Sequence, residues 1–232
     1  MMRQLVLAMT AAASLVGGGA LWLETAGAQD EAPPPPRRVI VGLDLSLSNP
    51  LIADPAFAAK VGGRIAGELR SLGFGSEVHV RTFGNYDATS NNFAYDAVLS
   101  VRERPENVAD DVGRLIAATP LLVKQGKWRA QGRTNILAFL DNLSRSPGCG
   151  GMPTTIVLAT DGIEDSVYAR LDDPSSHLPK PEGRPYQGCY QLEILGIGQG
   201  SRSPVKTARL RAEWQGWADA VGFQHFVALN DW

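Results

Sequence analysis

Short apolar runs alternate with longer amphipathic segments from residue 38 to the end of the chain. The short runs are rich in Val, Ile and Leu, which is typical of strands buried on both faces of a parallel sheet. The longer segments repeat their apolar residues at helical spacing. The predicted order is β, α, β, β, α, α, β, α, β, α, β, which indicates an α/β fold with helices on both faces of a mostly parallel sheet.

The apolar runs predict strands over 38–45, 77–83, 94–101, 154–159, 191–197 and 225–229. Helical spacing predicts helices over 54–72, 106–119, 135–143 and 204–221. A fifth helix is predicted between the fourth and fifth strands, beginning near Glu164 and Asp165, because acidic residues suit the first turn of a helix. The first strand is apolar almost throughout and is expected at the centre of the sheet.

The first 28 residues have the parts of an export signal: a basic start at Arg3, an apolar stretch over 5–23, and Ala-Gly-Ala at 26–28. Cleavage is predicted before Gln29. Because the apolar stretch is also long enough to cross a bilayer, an uncleaved anchor is the alternative. Residues 29–37 contain four consecutive prolines and are predicted to form an extended linker, so that 38–232 is the folded domain. The sequence therefore predicts a periplasmic or secreted protein that is not inserted in the membrane after cleavage.

Charge and cysteine content change this picture little. The formal net charge of -2 favours neither nucleic acid nor an anionic membrane surface as a partner. In an exported chain the two cysteines, Cys149 and Cys189, are expected to form a disulfide, with two buried free thiols as the alternative. Cys189 ends a polar, proline-rich segment, 172–188, which is either a binding loop or a tethered excursion; the cysteine favours the tether.

Oxygen-bearing side chains lie where strands of the predicted sheet end and where a helix begins. Asp44, Ser46 and Ser48 follow the first strand, Thr134 precedes the helix at 135–143, and Asp161 follows the fourth strand. Ligands of open α/β sheets bind beyond the carboxyl ends of the strands, where these side chains are expected to meet. Singly, each residue is explained as a helix cap or a turn. Together they form an all-oxygen set that suits Mg²⁺, with Mn²⁺ or Ca²⁺ also possible, rather than zinc.

The order of these residues resembles the metal-ion-dependent adhesion site of von Willebrand factor A domains. The matching positions are Asp44-x-Ser46-x-Ser48, then Thr134, then Thr160-Asp161-Gly162. The resemblance implies a Rossmann-like, doubly wound, six-stranded sheet of order 3-2-1-4-5-6 with one antiparallel edge strand. It also implies direct metal binding by Ser46, Ser48 and Thr134, and binding by Asp44 and Asp161 either directly or through water. With that strand order, both cysteines lie near the amino ends of neighbouring strands, opposite the metal.

This resemblance predicts a non-enzymatic, metal-dependent protein-binding domain exported from a bacterial cell, in which an Asp or Glu of a partner protein completes the metal coordination. Two alternatives stay open. A metal-assisted hydrolase or phosphatase would use Asp44, with Arg133 as the only candidate phosphate clamp in the motifs. A structural envelope component would keep a vestigial site and make its contacts through 172–188.

Overall fold

The computed structural model describes residues 33–85, 93–201 and 203–232. Six strands in these ranges form one sheet: β1 (Arg38–Asp44), β2 (Glu77–Phe83), β3 (Ala94–Val98), β4 (Thr154–Ala159), β5 (Gln191–Leu195) and β6 (His225–Leu229). The helices are α1 (Pro55–Arg70), α2 (Pro105–Ala117), α3 (Thr119–Lys124), α4 (Ile136–Arg145) and α5 (Pro204–Val221), with a short 3-10 helix at Pro50–Ile52.

The sheet has the order β3-β2-β1-β4-β5-β6, as predicted. Only β2 and β3 pair antiparallel; the other neighbouring strands are parallel. The strand β1 is buried along its whole length and pairs with both β2 and β4, so its predicted place near the centre of the sheet is confirmed. The carboxyl ends of β1 and β4 therefore lie side by side.

Helices cover both faces of the sheet and enclose two apolar cores. On one face, Val39 and Val41 of β1 pack with the buried side of α1, where Val61, Ile65 and Leu69 recur every fourth residue. On the other face, α4 and α5 pack against the intervening residues of β1 and against β4 and β5. This alternation follows from the pleat of a strand, in which successive side chains point to opposite faces.

The prediction of a helix between β4 and β5 is wrong. Residues 161–190 form turns and irregular structure instead. Four prolines over 174–185 interrupt any helical run there. The acidic residues expected to begin that helix bind elsewhere: Glu164 accepts hydrogen bonds from α4, and Asp165 pairs with Arg133 and Arg170. The third strand also ends at Val98, earlier than predicted.

The irregular crossover is tethered to the helices on its face of the sheet. Tyr186 is buried, donates a hydrogen bond from its hydroxyl to the Leu140 carbonyl of α4, and stacks on Phe223 at 4.5 Å between ring centroids. The backbone N–H of Leu178 donates to Glu213 of α5 at 3.2 Å. The segment 172–188 is thus a tethered excursion, as the sequence favours.

A disulfide joins Cys149 and Cys189, with a Cα–Cα distance of 4.9 Å, and confirms the predicted pairing. The two cysteines precede the neighbouring parallel strands β4 and β5. The bond therefore lies near the amino ends of these strands, at the edge of the sheet opposite Asp44 and Asp161.

Residues 33–37 lie on the domain rather than apart from it. Gly73 has no side chain where Pro34 passes, and a Cβ there would overlap the Pro34 carbonyl oxygen. The N–H of Arg37 donates to the Ser76 hydroxyl at 3.1 Å. The predicted signal peptide, 1–28, and the start of the predicted linker, 29–32, lie outside the described residues. Within the described ranges, no helix has both the length and the apolar character needed to cross a membrane.

Candidate metal site

Two buried carboxylates stand at the carboxyl edge of the sheet. Asp44 is the last residue of β1, and Asp161 follows the end of β4 by two residues. Both side chains are fully buried. Because β1 and β4 are hydrogen-bonded neighbours, the fold brings together two acidic groups that are far apart in the sequence.

Hydrogen bonds fix the orientation of the Asp44 carboxylate. Its Oδ1 accepts from the N–H of Ser46 at 2.8 Å, and its Oδ2 accepts from the Thr160 hydroxyl at 2.7 Å. The buried amide of Asn49 donates to the Asp44 carbonyl at 2.8 Å and to the Ala159 carbonyl at 2.9 Å, which ties the ends of β1 and β4 together. The sequence did not reveal the roles of Asn49 and Thr160, although both lie in or next to the predicted motifs.

The two serines after β1 place their hydroxyls together. The Oγ atoms of Ser46 and Ser48 are 3.3 Å apart. Ser46 is buried and Ser48 is exposed, while Leu47 between them is 70% exposed. The alternation that the sequence predicts therefore directs both hydroxyls to one side and Leu47 to solvent.

Asp161 has one oxygen without a hydrogen-bond partner. Its Oδ1 accepts from the N–H of Ile163 at 2.9 Å, whereas its buried Oδ2 accepts from no group in the described part of the chain. Burial raises the pKa of Asp161, and the nearby Ser48 hydroxyl partly opposes this rise. The next residue, Gly162, adopts a φ of 76°, and its carbonyl accepts from the Trp214 indole at 2.8 Å. The turn that carries Asp161 is thus anchored to α5.

Thr134 reaches the same edge through backbone contacts. It is buried, and its carbonyl accepts from the N–H of Asp165 at 2.9 Å. Three residues earlier, the Gln131 carbonyl accepts from the N–H of Leu47 at 2.8 Å. The segment that carries Thr134 therefore runs between the loop of Ser46 and Ser48 and the segment after Asp161.

Glu164 supports the helix that follows Thr134. One oxygen of its buried carboxylate accepts from the N–H groups of Ile136 and Leu137, at 2.7 and 3.2 Å. Asn135, which precedes α4, makes no capping hydrogen bond with its side chain, so Glu164 supplies the cap from another segment. Within the described residues, the second carboxylate oxygen has no hydrogen-bond partner. Burial raises the pKa of Glu164 to about 7.

Burial and mutual repulsion dominate the electrostatics of the edge. Burial, followed by the charge of Asp161, raises the pKa of Asp44 to about 7. Burial also raises the pKa of Asp161, although the positive charge of Lys206 acts in the opposite direction. A divalent cation would reverse both shifts, because it stabilises the ionised carboxylates.

The donor set at this edge consists of oxygens. No three His, Cys, Asp or Glu side chains cluster as metal ligands in the described ranges. A cation here would therefore depend on the hydroxyls of Ser46, Ser48 and Thr134 besides the two carboxylates. Hard cations such as Mg²⁺ accept such oxygen ligands and keep water at the remaining positions. The unpartnered Oδ2 of Asp161 and the paired serine hydroxyls fit this chemistry.

Comparisons with known proteins find distant likenesses of fold. No family model matches the chain, and no curated protein matches it. An aerotolerance-related membrane protein of Bacteroides fragilis matches with a TM-score of 0.44 at 16% identity, over 84% of this chain and 92% of that protein's. A pilus adhesin of Lactobacillus rhamnosus matches with a TM-score of 0.47 at 14% identity, over 84% of this chain and 28% of the adhesin's.

Both likenesses are too distant to support an argument about family or function. The fold itself is established by the strand order and by the helices on both faces of the sheet. The likeness to the von Willebrand factor A pattern consists of this strand order and the five residues at the carboxyl edge.

Proposed function

We propose that this chain is an exported protein-binding domain of the von Willebrand factor A type, which binds another protein through a divalent cation. The observation that supports it best is the unpartnered, buried Oδ2 of Asp161 beside a second buried carboxylate, Asp44. Two such groups repel each other when ionised, and a bound cation would offset this repulsion. Mg²⁺ is the proposed ion, with Mn²⁺ or Ca²⁺ as substitutes.

The proposed ligands are the hydroxyls of Ser46, Ser48 and Thr134 and the carboxylates of Asp44 and Asp161. Asp44 uses both oxygens in hydrogen bonds to Ser46 and Thr160, whereas Asp161 has an oxygen to offer. The two carboxylates formally balance a divalent cation, but where one of them binds only through water, the direct coordination of the cation keeps positive charge that a further anionic oxygen can neutralise. An Asp or Glu side chain of a partner protein is the proposed source of that oxygen.

We propose binding rather than catalysis because Arg133 is already engaged in an ion pair. This residue is the candidate phosphate clamp within the motifs, and its guanidinium pairs with Asp165 at 2.8 Å. Phosphoryl transfer needs positive groups aimed at the transferred phosphate, and this ion pair occupies the candidate group. Export is proposed because the disulfide suits an oxidising compartment.

Calorimetric titration of Mg²⁺, Mn²⁺ and Ca²⁺ into the metal-free domain, residues 29–232, tests the cation site. Saturable binding is expected for the native domain, and Asp44→Ala should abolish it. Asp110→Ala removes an exposed carboxylate of α2 and serves as the matched control, with binding unchanged. Equal binding by the Asp44→Ala variant and the native domain would contradict the site.

A further inference from the structure

Large apolar side chains are exposed on the three segments that border the candidate metal site. They are Leu47 at 70% exposure, Val167 at 92% and Val205 at 79%, and we name them the apolar rim. Single exposed apolar residues are common on soluble proteins, but a group gathered around one site marks an interaction surface.

Leu47 stands inside the site's own loop. It lies between Ser46 and Ser48, whose hydroxyls are 3.3 Å apart, and its N–H donates to the Gln131 carbonyl at 2.8 Å. The backbone of Leu47 is thus fixed while its side chain faces solvent. A partner that approaches the serine hydroxyls would contact this side chain.

Val167 lies at the tip of a tight turn that begins beside Thr134. The turn is closed by a hydrogen bond of 3.0 Å from the N–H of Ser166 to the Ala169 carbonyl. At its base, the N–H of Asp165 donates to the Thr134 carbonyl at 2.9 Å. The turn therefore exposes Val167 two residues after Asp165, which contacts a proposed metal ligand.

Val205 borders the site on the side of Asp161. It lies in the first turn of α5, and the loop before this helix binds Asp161 through the N–H of Gly198, which donates to the Asp161 carbonyl at 2.8 Å. The same loop passes Ser48 at Gly200. Burial raises the pKa of Asp161, and the positive charge of Lys206, the next residue after Val205, opposes this rise, so the start of α5 lies within electrostatic reach of the site.

The charged residues next to the rim are paired with one another. Asp165 pairs with Arg133 at 2.8 Å and with Arg170 at 3.3 Å, and Lys206 pairs with Asp172. Because two arginines share Asp165, these five side chains sum to one net positive charge beside the apolar rim. Such a surface is complementary to one carboxylate set among apolar side chains.

We propose that the apolar rim binds apolar residues on either side of the partner's metal-binding Asp or Glu. This inference rests on the proposed function and adds a preference for the residues that flank the partner's acidic side chain. The occupant is a protein segment in which Leu, Ile, Val or Phe lies within two positions of the acidic residue. A segment with polar neighbours would leave the exposed rim side chains uncovered and bind more weakly.

Selection of a displayed library of random linear peptides on the domain in Mg²⁺, with a parallel selection in chelator, tests the proposal. Peptides that need Mg²⁺ should contain Asp or Glu with apolar neighbours. The triple variant Leu47→Ser, Val167→Ser, Val205→Ser should bind these peptides about tenfold more weakly and keep the native Mg²⁺ affinity. The matched control, Phe74→Ser, Val98→Ser, Val101→Ser, changes exposed apolar residues outside the bordering segments and should bind like the native domain.

The outcomes separate this inference from the proposed function. Two results would contradict the role of the apolar rim and still support metal-dependent binding. In the first, the Mg²⁺-dependent peptides have polar residues next to their Asp or Glu. In the second, the rim variant binds the selected peptides as well as the native domain does. Recovery of only metal-independent peptides, or of none, would overturn both. Sedimentation in Mg²⁺ supplies a further test, because a dimer that the rim variant cannot form would assign the rim to a second copy of this chain and overturn the proposal.

Discussion

Burial and the charge of Asp161 together raise the pKa of Asp44 at the junction between β1 and β4. The two carboxylates are fully buried and belong to segments more than a hundred residues apart in the sequence. Without a cation, the folded domain favours the protonated form of Asp44, and with a cation the preference reverses.

In the absence of metal, the domain should lose stability as the pH rises through about 7. The folded-state pKa of Asp44 lies above its ordinary value, so the folded protein holds the proton more tightly than the unfolded chain. The stabilisation from this proton is therefore greatest below pH about 4 and disappears above about 7. Urea unfolding at pH 5 and pH 8 should show this decrease, and Asp44→Asn should reduce it by about 2 to 4 kcal/mol. The part that remains includes Glu164, because burial also raises its pKa to about 7. An unchanged decrease in the Asn variant would exclude Asp44 as its source.

Binding of Mg²⁺ should release protons, because a metal ligand must be ionised. At pH 6 a large fraction of Asp44 is protonated, given its pKa of about 7. Titrations in two buffers with different ionisation enthalpies should then give different apparent binding enthalpies at pH 6 and converge at pH 9. Apparent affinity should rise with pH over the same interval. A buffer-independent enthalpy at pH 6 would show that Asp44 does not ionise on binding.

Replacement of Glu164 should weaken metal binding without removing a ligand. Glu164→Ala leaves the N–H groups of Ile136 and Leu137 without their acceptor, which should lower the free energy of unfolding by about 1 to 2 kcal/mol. Because α4 begins just after Thr134, the Mg²⁺ affinity should also fall by about tenfold. Glu164→Gln retains an acceptor oxygen and is expected to restore most of both properties. If Ala and Gln are equally impaired in calorimetry and urea unfolding, the cap is not the cause.

Loss of the disulfide should destabilise the fold and leave the site intact. The bond between Cys149 and Cys189 closes a loop with a sequence separation of 40, for which the chain-entropy relation gives about 4 kcal/mol. The double variant Cys149→Ser, Cys189→Ser should therefore melt at a markedly lower temperature. Below its melting temperature it should bind Mg²⁺ with native affinity, because the bond lies at the opposite edge of the sheet. A reduced affinity in the folded variant would show that the two edges are coupled.

The parts of the fold that depend on local patterns were predictable from the sequence. The apolar run of β1 fixes a central buried strand, and the spacing of Ser46 and Ser48 after Asp44 places two hydroxyls together. The resemblance of the motif order to von Willebrand factor A domains also predicted the strand order that the sheet has. The choice of metal and the partner's acidic residue stay predictions.

The parts that depend on contacts between distant segments were not predictable. Asn49 joins the ends of β1 and β4 by donating hydrogen bonds to the carbonyls of Asp44 and Ala159, and Ala159 lies 110 residues from Asn49 in the sequence. Glu164 caps a helix that begins 28 residues before it in the sequence. Its acidic side chain resembles the start of a following helix, and no local pattern shows that the matching N–H groups belong to α4.

The position of residues 33–37 decides how the domain is best presented to a partner. These residues lead into the amino end of β1, whereas Asp44 ends the same strand at the opposite edge of the sheet. A sensor surface or bead coupled through an N-terminal tag would therefore hold the domain with its site directed outward into the solution. Coupling through lysines would include Lys206, whose charge acts on Asp161, and would place chemistry beside the site that is to be measured.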